Sequence, residues 1–74
     1  MDITLDGLRA EVAATLGVPP DELAPDGNLM DAGLDSIRVM MLIERWREEG
    51  ARVGFAELAE IPTLEGWHAV LTAD

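Results

Sequence analysis

The residues best suited to chemistry lie at positions 33–38, where the sequence reads Gly-Leu-Asp-Ser-Ile-Arg. A serine follows an aspartate after a glycine-rich, acidic stretch and opens a run with helical apolar spacing. This pattern predicts a hydroxyl exposed at a helix N-terminus, where unpaired N–H groups and partial positive charge suit an attached phosphate. Ser36 is therefore a candidate modification site, with Asp35 as the N-cap of the helix.

A catalytic role for Ser36 is not expected. The sequence contains one histidine and no cysteine, and the motif supplies no base that could activate the hydroxyl. The dipeptide alone also leaves a simpler interpretation open, because aspartate and serine are both common where helices begin. His68 has no second histidine or cysteine near it in the sequence, so no metal site is predicted.

Length and charge restrict the function further. The 74 residues are enough for one domain, residues 1–74, and too few to enclose an active-site cavity beside a core. The chain is therefore not expected to be an enzyme. Its formal net charge is −10 and it has no lysine, which disfavours binding to nucleic acid or to anionic membranes. Partners with basic patches are favoured instead.

The apolar residues indicate a folded protein outside the membrane. An apolar content of 49% is too high for a disordered chain. The longest purely apolar run, residues 39–43, is far too short to cross a bilayer, and the start does not read as a secretory signal. The absence of cysteine excludes disulfides, so a cytoplasmic monomer is the expectation.

Ser36 must be positioned by a helix on either side of a long loop. Apolar spacing predicts a first helix over residues 5–16, with Thr4 as N-cap and Gly17 at its end. Residues 17–34 are interrupted by prolines and glycines and predict a loop, with a helical turn possible over residues 20–24. A loop this long usually has a function. Its apolar residues are expected to pin it to the core: Leu23, Leu29, Met30 and Leu34.

The second helix is predicted from Ser36 to about residue 49, with Gly50 as its stop. Its core face follows i, i+3, i+4, i+7 spacing and comprises Val39, Leu42, Ile43 and Trp46. Met40 lies off this face, on a stripe with Ser36 and Arg47, which suits a contact surface. The arginines of this helix are expected to pair at helical spacing with Glu44, Glu48 and Glu49.

A short third helix is predicted over residues 55–60, and a last helix after Thr63 as N-cap. The inward face of the last helix is predicted to comprise Leu64, Trp67, Val70 and Leu71. No stretch alternates convincingly like a strand. The fold class is therefore all-α: a small bundle of three main helices plus one short helix, with a long loop between the first two helices.

This order of elements, with the motif Asp31-Ala32-Gly33-Leu34-Asp35-Ser36-Ile37, resembles the phosphopantetheine-dependent carrier proteins along nearly the whole chain. The resemblance to this acyl and peptidyl carrier superfamily implies 4'-phosphopantetheine attached covalently to Ser36. A phosphopantetheinyl transferase would attach it, using coenzyme A and a magnesium ion. The thiol of the arm would hold an acyl group as a thioester, so a chain without cysteine can take part in thiol chemistry.

Finer features resemble the aryl carrier proteins of siderophore-type nonribosomal peptide synthesis. They are Arg38 soon after the motif, the triplet Arg45-Trp46-Arg47, and the segment from Phe55 to Leu64. The resemblance implies that partner domains dock at Met40, Phe55 and Ala59. The best-known aryl carriers are fused to an isochorismatase domain, whereas the resemblance here covers a carrier alone, so a free-standing carrier is expected.

The expected function is an aryl or peptidyl carrier that shuttles an acyl group from an adenylating ligase to a downstream condensation or tailoring enzyme. Two alternatives stay open. One is an acyl carrier of another branch, for fatty-acyl, polyketide or D-alanyl groups. The other is an acidic helical interaction module that is never modified.

Overall fold

Local chemistry fixes both ends of the first helix, α1, which spans Leu5–Leu16 in the computed structural model of residues 2–73. Thr4 Oγ1 accepts a hydrogen bond from the backbone N–H of Gly7 at 3.0 Å. At the other end Gly17 adopts a left-handed conformation, with φ 73°, which turns its N–H back toward the last carbonyls of the helix. Both ends lie where the sequence predicts them.

The predicted long loop follows α1 and contains a short 3-10 turn over Pro20–Glu22. The predicted anchors pack into the core: Leu23, Leu29 and Leu34 are buried, and Met30 is partly buried. Two backbone hydrogen bonds tie this loop to the C-terminal part of the protein. Leu29 N–H donates to the Pro62 carbonyl at 2.8 Å, and Glu65 N–H donates to the Pro25 carbonyl at 3.0 Å. The loop is therefore a structural part of the bundle.

Three more helices follow the loop. The second helix, α2, spans Ser36–Glu48, and the last two, α3 and α4, span Phe55–Glu60 and Leu64–Thr72. α3 packs against α2 and α4, while α4 packs against α1. The prediction of an all-α bundle with three main helices and one short one is confirmed, and residues 2–73 form no strand. None of these helices has the length and apolar character needed to span a membrane.

Two tryptophans form the centre of the core. Trp46 of α2 and Trp67 of α4 are fully buried and meet edge to face, with ring centroids 6.1 Å apart. Trp67 Nε1 donates to the Leu58 carbonyl at 2.9 Å, and Trp46 Nε1 donates to Glu11 Oε2 at 3.4 Å. Both indole N–H groups therefore keep an acceptor inside the fold. The predicted core face of α2 is buried, as is that of α4 except for the partly buried Val70.

The ion pairs of α2 differ from the sequence-based prediction. Arg45 lies 3.6 Å from Glu11 of α1, and Arg38 lies 3.7 Å from Asp35. No arginine of α2 pairs with Glu44, Glu48 or Glu49 within the part of the chain that the structure describes. The prediction was wrong because it considered only neighbours along the helix, whereas the bundle brings a carboxylate of α1 to Arg45.

Candidate functional site

Ser36 is the first residue of α2 and is exposed. The preceding Asp35 has an extended backbone, with φ −123° and ψ 173°, and it is the N-cap of the helix. Its Oδ1 accepts a hydrogen bond from the backbone N–H of Arg38 at 2.8 Å. The cap ends the loop and starts the helix at one point, so Ser36 lies at the junction.

The chain before Ser36 is held from both sides. Leu34 is buried and its N–H donates to the Leu29 carbonyl at 3.1 Å. Gly33 has φ 112°, a region that glycine enters at little cost, and its carbonyl accepts from Arg38 Nη1 at 3.3 Å. Arg38 therefore contacts both Gly33 and Asp35. The approach to the serine is an ordered turn whose core anchor is Leu34.

The Ser36 hydroxyl is exposed at the positive end of α2. The hydroxyl makes no hydrogen bond to another group among residues 2–73. Backbone N–H groups at the start of α2 have no helical acceptor, and with the helix dipole they suit a phosphate ester on the serine oxygen. Ser36 is the only serine of the sequence. Among residues 2–73, no group of side chains is arranged to hold a metal ion.

The three residues predicted to dock partners are all exposed. Met40 is 47% exposed and Phe55 is 38% exposed, and Ala59 is also exposed. Phe55 and Ala59 are four residues apart on α3, so they share one side of that helix. α3 packs against α2, the helix that carries Met40. That the three residues form one docking patch stays a prediction.

Two apolar residues near Ser36 are exposed, and this exposure was not predicted from the sequence. Ile37 is 72% exposed and Met41 is 61% exposed, and their spacing of four places them on one side of α2. The signal was present, because this side lies opposite the core stripe that contains Val39 and Trp46. Together with Met40 they make the first turns of α2 an exposed apolar surface beside the serine.

Comparison with known proteins gives the family. The family described as "Phosphopantetheine attachment site" matches residues 6–71. The acyl carrier protein ScoB of Streptomyces coeruleorubidus is 51% identical over 71 residues, which cover 96% of this chain and 84% of ScoB. The phenyloxazoline synthase MbtB of Mycobacterium tuberculosis is 53% identical over 66 residues, which cover 89% of this chain.

A third relative is the isochorismatase of Bacillus subtilis, 46% identical over 69 residues and 93% of this chain. The chain spans only 22% of that protein and 5% of the phenyloxazoline synthase. The likeness therefore concerns the carrier portion of these larger proteins. The chain belongs to the phosphopantetheine attachment family, whose members are carriers of a covalent 4'-phosphopantetheine on a serine and not catalysts, and it is close to the aryl carriers of nonribosomal peptide synthesis.

Proposed function

We propose that Ser36 bears the 4'-phosphopantetheine arm and that residues 1–74 form one aryl or peptidyl carrier domain. The observation that carries the assignment is the position of the sequence's only serine, exposed as the first residue of α2 directly after a capping aspartate. The family is defined by a modified serine, and no other serine competes for the role.

The attachment reaction draws on a phosphopantetheinyl transferase and coenzyme A. The Ser36 oxygen forms a bond to the phosphorus of the pantetheine phosphate, and the phosphoanhydride bond of coenzyme A breaks to release the adenosine bisphosphate. The hydroxyl proton passes to a base of the transferase, because Ser36 has no base partner of its own among residues 2–73. In this proposal the carrier contributes an exposed oxygen in an ordered turn and works as a cytoplasmic monomer.

The cargo that the comparisons favour is an aryl acid. The matched phenyloxazoline synthase is named for a product that contains a phenyl group, and it is 53% identical to this chain over 66 residues. We therefore propose that an aryl-acid adenylating ligase loads the arm and that a downstream condensation or tailoring enzyme receives the thioester. A second candidate, an acyl carrier of another branch, is favoured by the likeness to the acyl carrier protein ScoB.

Mass spectrometry tests the attachment. Incubation of the protein with a promiscuous phosphopantetheinyl transferase, coenzyme A and Mg²⁺ should add the mass of one phosphopantetheinyl group. Ser36→Ala should fold normally, since the hydroxyl is exposed, and should gain no mass. The assignment fails if the wild type stays unmodified while other carriers are loaded, or if peptide mapping finds the arm on a threonine.

Competition between cargoes separates the two candidate functions. The modified protein is offered to a benzoate-type adenylating ligase, to an amino-acid ligase and to a fatty-acyl ligase, each with ATP and its own acid. Preferred loading with the benzoate-type acid supports the aryl carrier. Preferred loading with an amino acid moves the protein to the peptidyl branch, and preferred fatty-acyl loading moves it to the acyl carriers.

A further inference from the structure

The start of α2 differs in charge from the starts of the other α-helices. Each of the others has an uncharged N-cap and one acidic residue in its first turn: Asp6 in α1, Glu57 in α3 and Glu65 in α4. α2 has no acidic residue in its first turn, and the positive charge of Arg38 cancels that of its N-cap Asp35. Since a helix N-terminus has partial positive charge, α2 lacks the negative charge that the other helices place there.

The Arg38 guanidinium has hydrogen-bond donors that the fold does not use. Its Nη1 donates to the Gly33 carbonyl at 3.3 Å and lies 3.7 Å from Asp35 Oδ2, so the group lies at the start of the helix. Among residues 2–73, Nη2 and Nε make no hydrogen bond, and the side chain is 45% exposed. These N–H groups of the planar guanidinium are therefore free to bind an anion beside Ser36.

The phosphate of the 4'-phosphopantetheine arm is an anion that this group fits. Arginine suits phosphate oxygens because its planar N–H groups can form two parallel, charge-assisted hydrogen bonds. The formal net charge of −10 acts against any added anion. Exposed charges more than about 10 Å away are largely screened at 0.1 M salt, however, so the nearby Arg38 should outweigh the distant acidic residues.

We propose that Arg38 is the counter-ion, within the same chain, of the phosphate attached to Ser36. Attachment of the arm then supplies the negative charge that the start of α2 lacks, and the carrier with its arm is more stable than the carrier without it. The role of Arg38 is internal to the chain and needs no contact with a partner enzyme. The inference rests on the proposed function, because it requires the arm to be on Ser36.

Thermal melting followed by circular dichroism tests the proposal. The wild type, Arg38→Gln and Arg47→Gln are each melted with and without the arm. Arg47→Gln is the matched control, because it removes the same charge from an exposed position in the last turn of α2. Within each variant only the gain on attachment is compared, so the loss of the contacts of Arg38 with Gly33 and Asp35 is common to both forms.

Attachment should raise the melting temperature of the wild type and of Arg47→Gln by about 4 °C, and that of Arg38→Gln by less than about 2 °C. The gain should shrink at high salt. Arg38→Lys keeps the charge but loses the planar group, so it should gain an intermediate amount, and it replaces Arg38→Gln if that variant unfolds. The phosphorus NMR resonance of the arm should shift in Arg38→Gln and stay in place in Arg47→Gln.

A further measurement needs no arm. Ser36→Asp places a carboxylate at the attachment position, and Ser36→Asn is its uncharged counterpart. Ser36→Asp should melt above Ser36→Asn by about 4 °C when Arg38 is present. The difference should fall by at least about half when each is combined with Arg38→Gln, because the carboxylate then has no guanidinium to bind.

Three results would overturn the proposal. Equal gains in the wild type and Arg38→Gln would show that the helix end accommodates the phosphate without Arg38. An unchanged or lower melting temperature of the wild type after attachment would show that the net charge of the chain dominates. An unchanged phosphorus resonance in Arg38→Gln would show that the guanidinium does not contact the phosphate. Failure of the proposed function is distinct from all three, because the wild type would then gain no arm in the mass spectrum.

Discussion

The two sides of α2 are built from similar apolar residues and have opposite surroundings. On one side Val39, Leu42, Ile43 and Trp46 are at most 3% exposed. On the other side Ile37, Met40 and Met41 are 47–72% exposed. Burial of the first set supplies stability, at about 25 cal/mol per Å² of apolar surface removed from water. The second set gains less, because about half or more of each side chain stays in water.

The exposed side of α2 is the side that a partner protein could contact. Isolated exposed apolar residues are ordinary, but three within the first two turns, next to the proposed attachment serine, form a contiguous surface. Since the core does not require them, recognition by partner enzymes is the reason we propose for them. Substitutions on the two sides should therefore affect different measurements.

The largest expected effect is on the core side. Trp46→Ala should lower the free energy of unfolding by about 3–5 kcal/mol, as large core truncations do. That is a large share of the total of about 4–10 kcal/mol expected for a chain of this size. Urea denaturation followed by circular dichroism measures the loss. Met41→Ala, on the opposite side of the same helix, should change stability by less than about 0.5 kcal/mol.

Two outcomes would contradict this division between the buried and exposed sides of α2. A Trp46→Ala variant that melts within a few degrees of the wild type would show that the indole contributes little to stability. A Met41→Ala variant as unstable as Trp46→Ala would show that the exposed side also supports the fold. Trp46→Phe, which keeps an aromatic ring but loses the N–H donated to Glu11, should lie between the wild type and Trp46→Ala.

The next effect is on recognition. Met40→Ala, Phe55→Ala and Ala59→Asp should leave the fold and attachment of the arm largely intact. Each should slow acyl transfer with at least one synthetase partner about tenfold, equivalent to about 1.4 kcal/mol for the loss of one interface anchor. Transfer is measured with arm-bearing variants and each partner separately. Ile61→Ala is the control, because Ile61 is 48% exposed and lies between α3 and α4.

Full activity of all three variants with every partner would remove the docking assignment and leave only the attachment serine. An equal loss in the Ile61→Ala control would show that exposed apolar residues contribute wherever they lie. The exposed apolar residues of α2 would then contribute as general surface and not as a defined patch.

The smallest effect is expected at Asp35, where α2 begins. Asp35→Ala removes the N-cap and should cost about 1 kcal/mol. For a domain of this size the melting temperature should fall by about 4–8 °C. Asp31→Ala is the matched control. Asp31 is an exposed aspartate of the same loop and does not cap the helix, so this variant should melt close to the wild type. Equal melting of the two variants would contradict the cap.

The ends of the helices could be predicted from residues close to them in the sequence. Thr4, Gly17, Asp35 and Thr63 are residue types that start or stop helices, and the helices of the structure begin or end beside them. The core faces could be predicted from apolar spacing. Helix caps and apolar spacing both depend on residues only a few positions apart in the chain. The exposed position of Ser36 followed from its place after a cap.

Contacts between segments far apart in the sequence could not be predicted and are seen only in the folded protein. Glu11 meets Trp46 and Arg45, Leu29 bonds to Pro62, and His68 Nε2 lies 2.9 Å from the Ile3 carbonyl. Spacing rules describe neighbours on one helix, so they paired the arginines of α2 with the wrong glutamates. Which side chains meet, and which remain in water, depends on how the helices pack, and packing is a property of the whole chain.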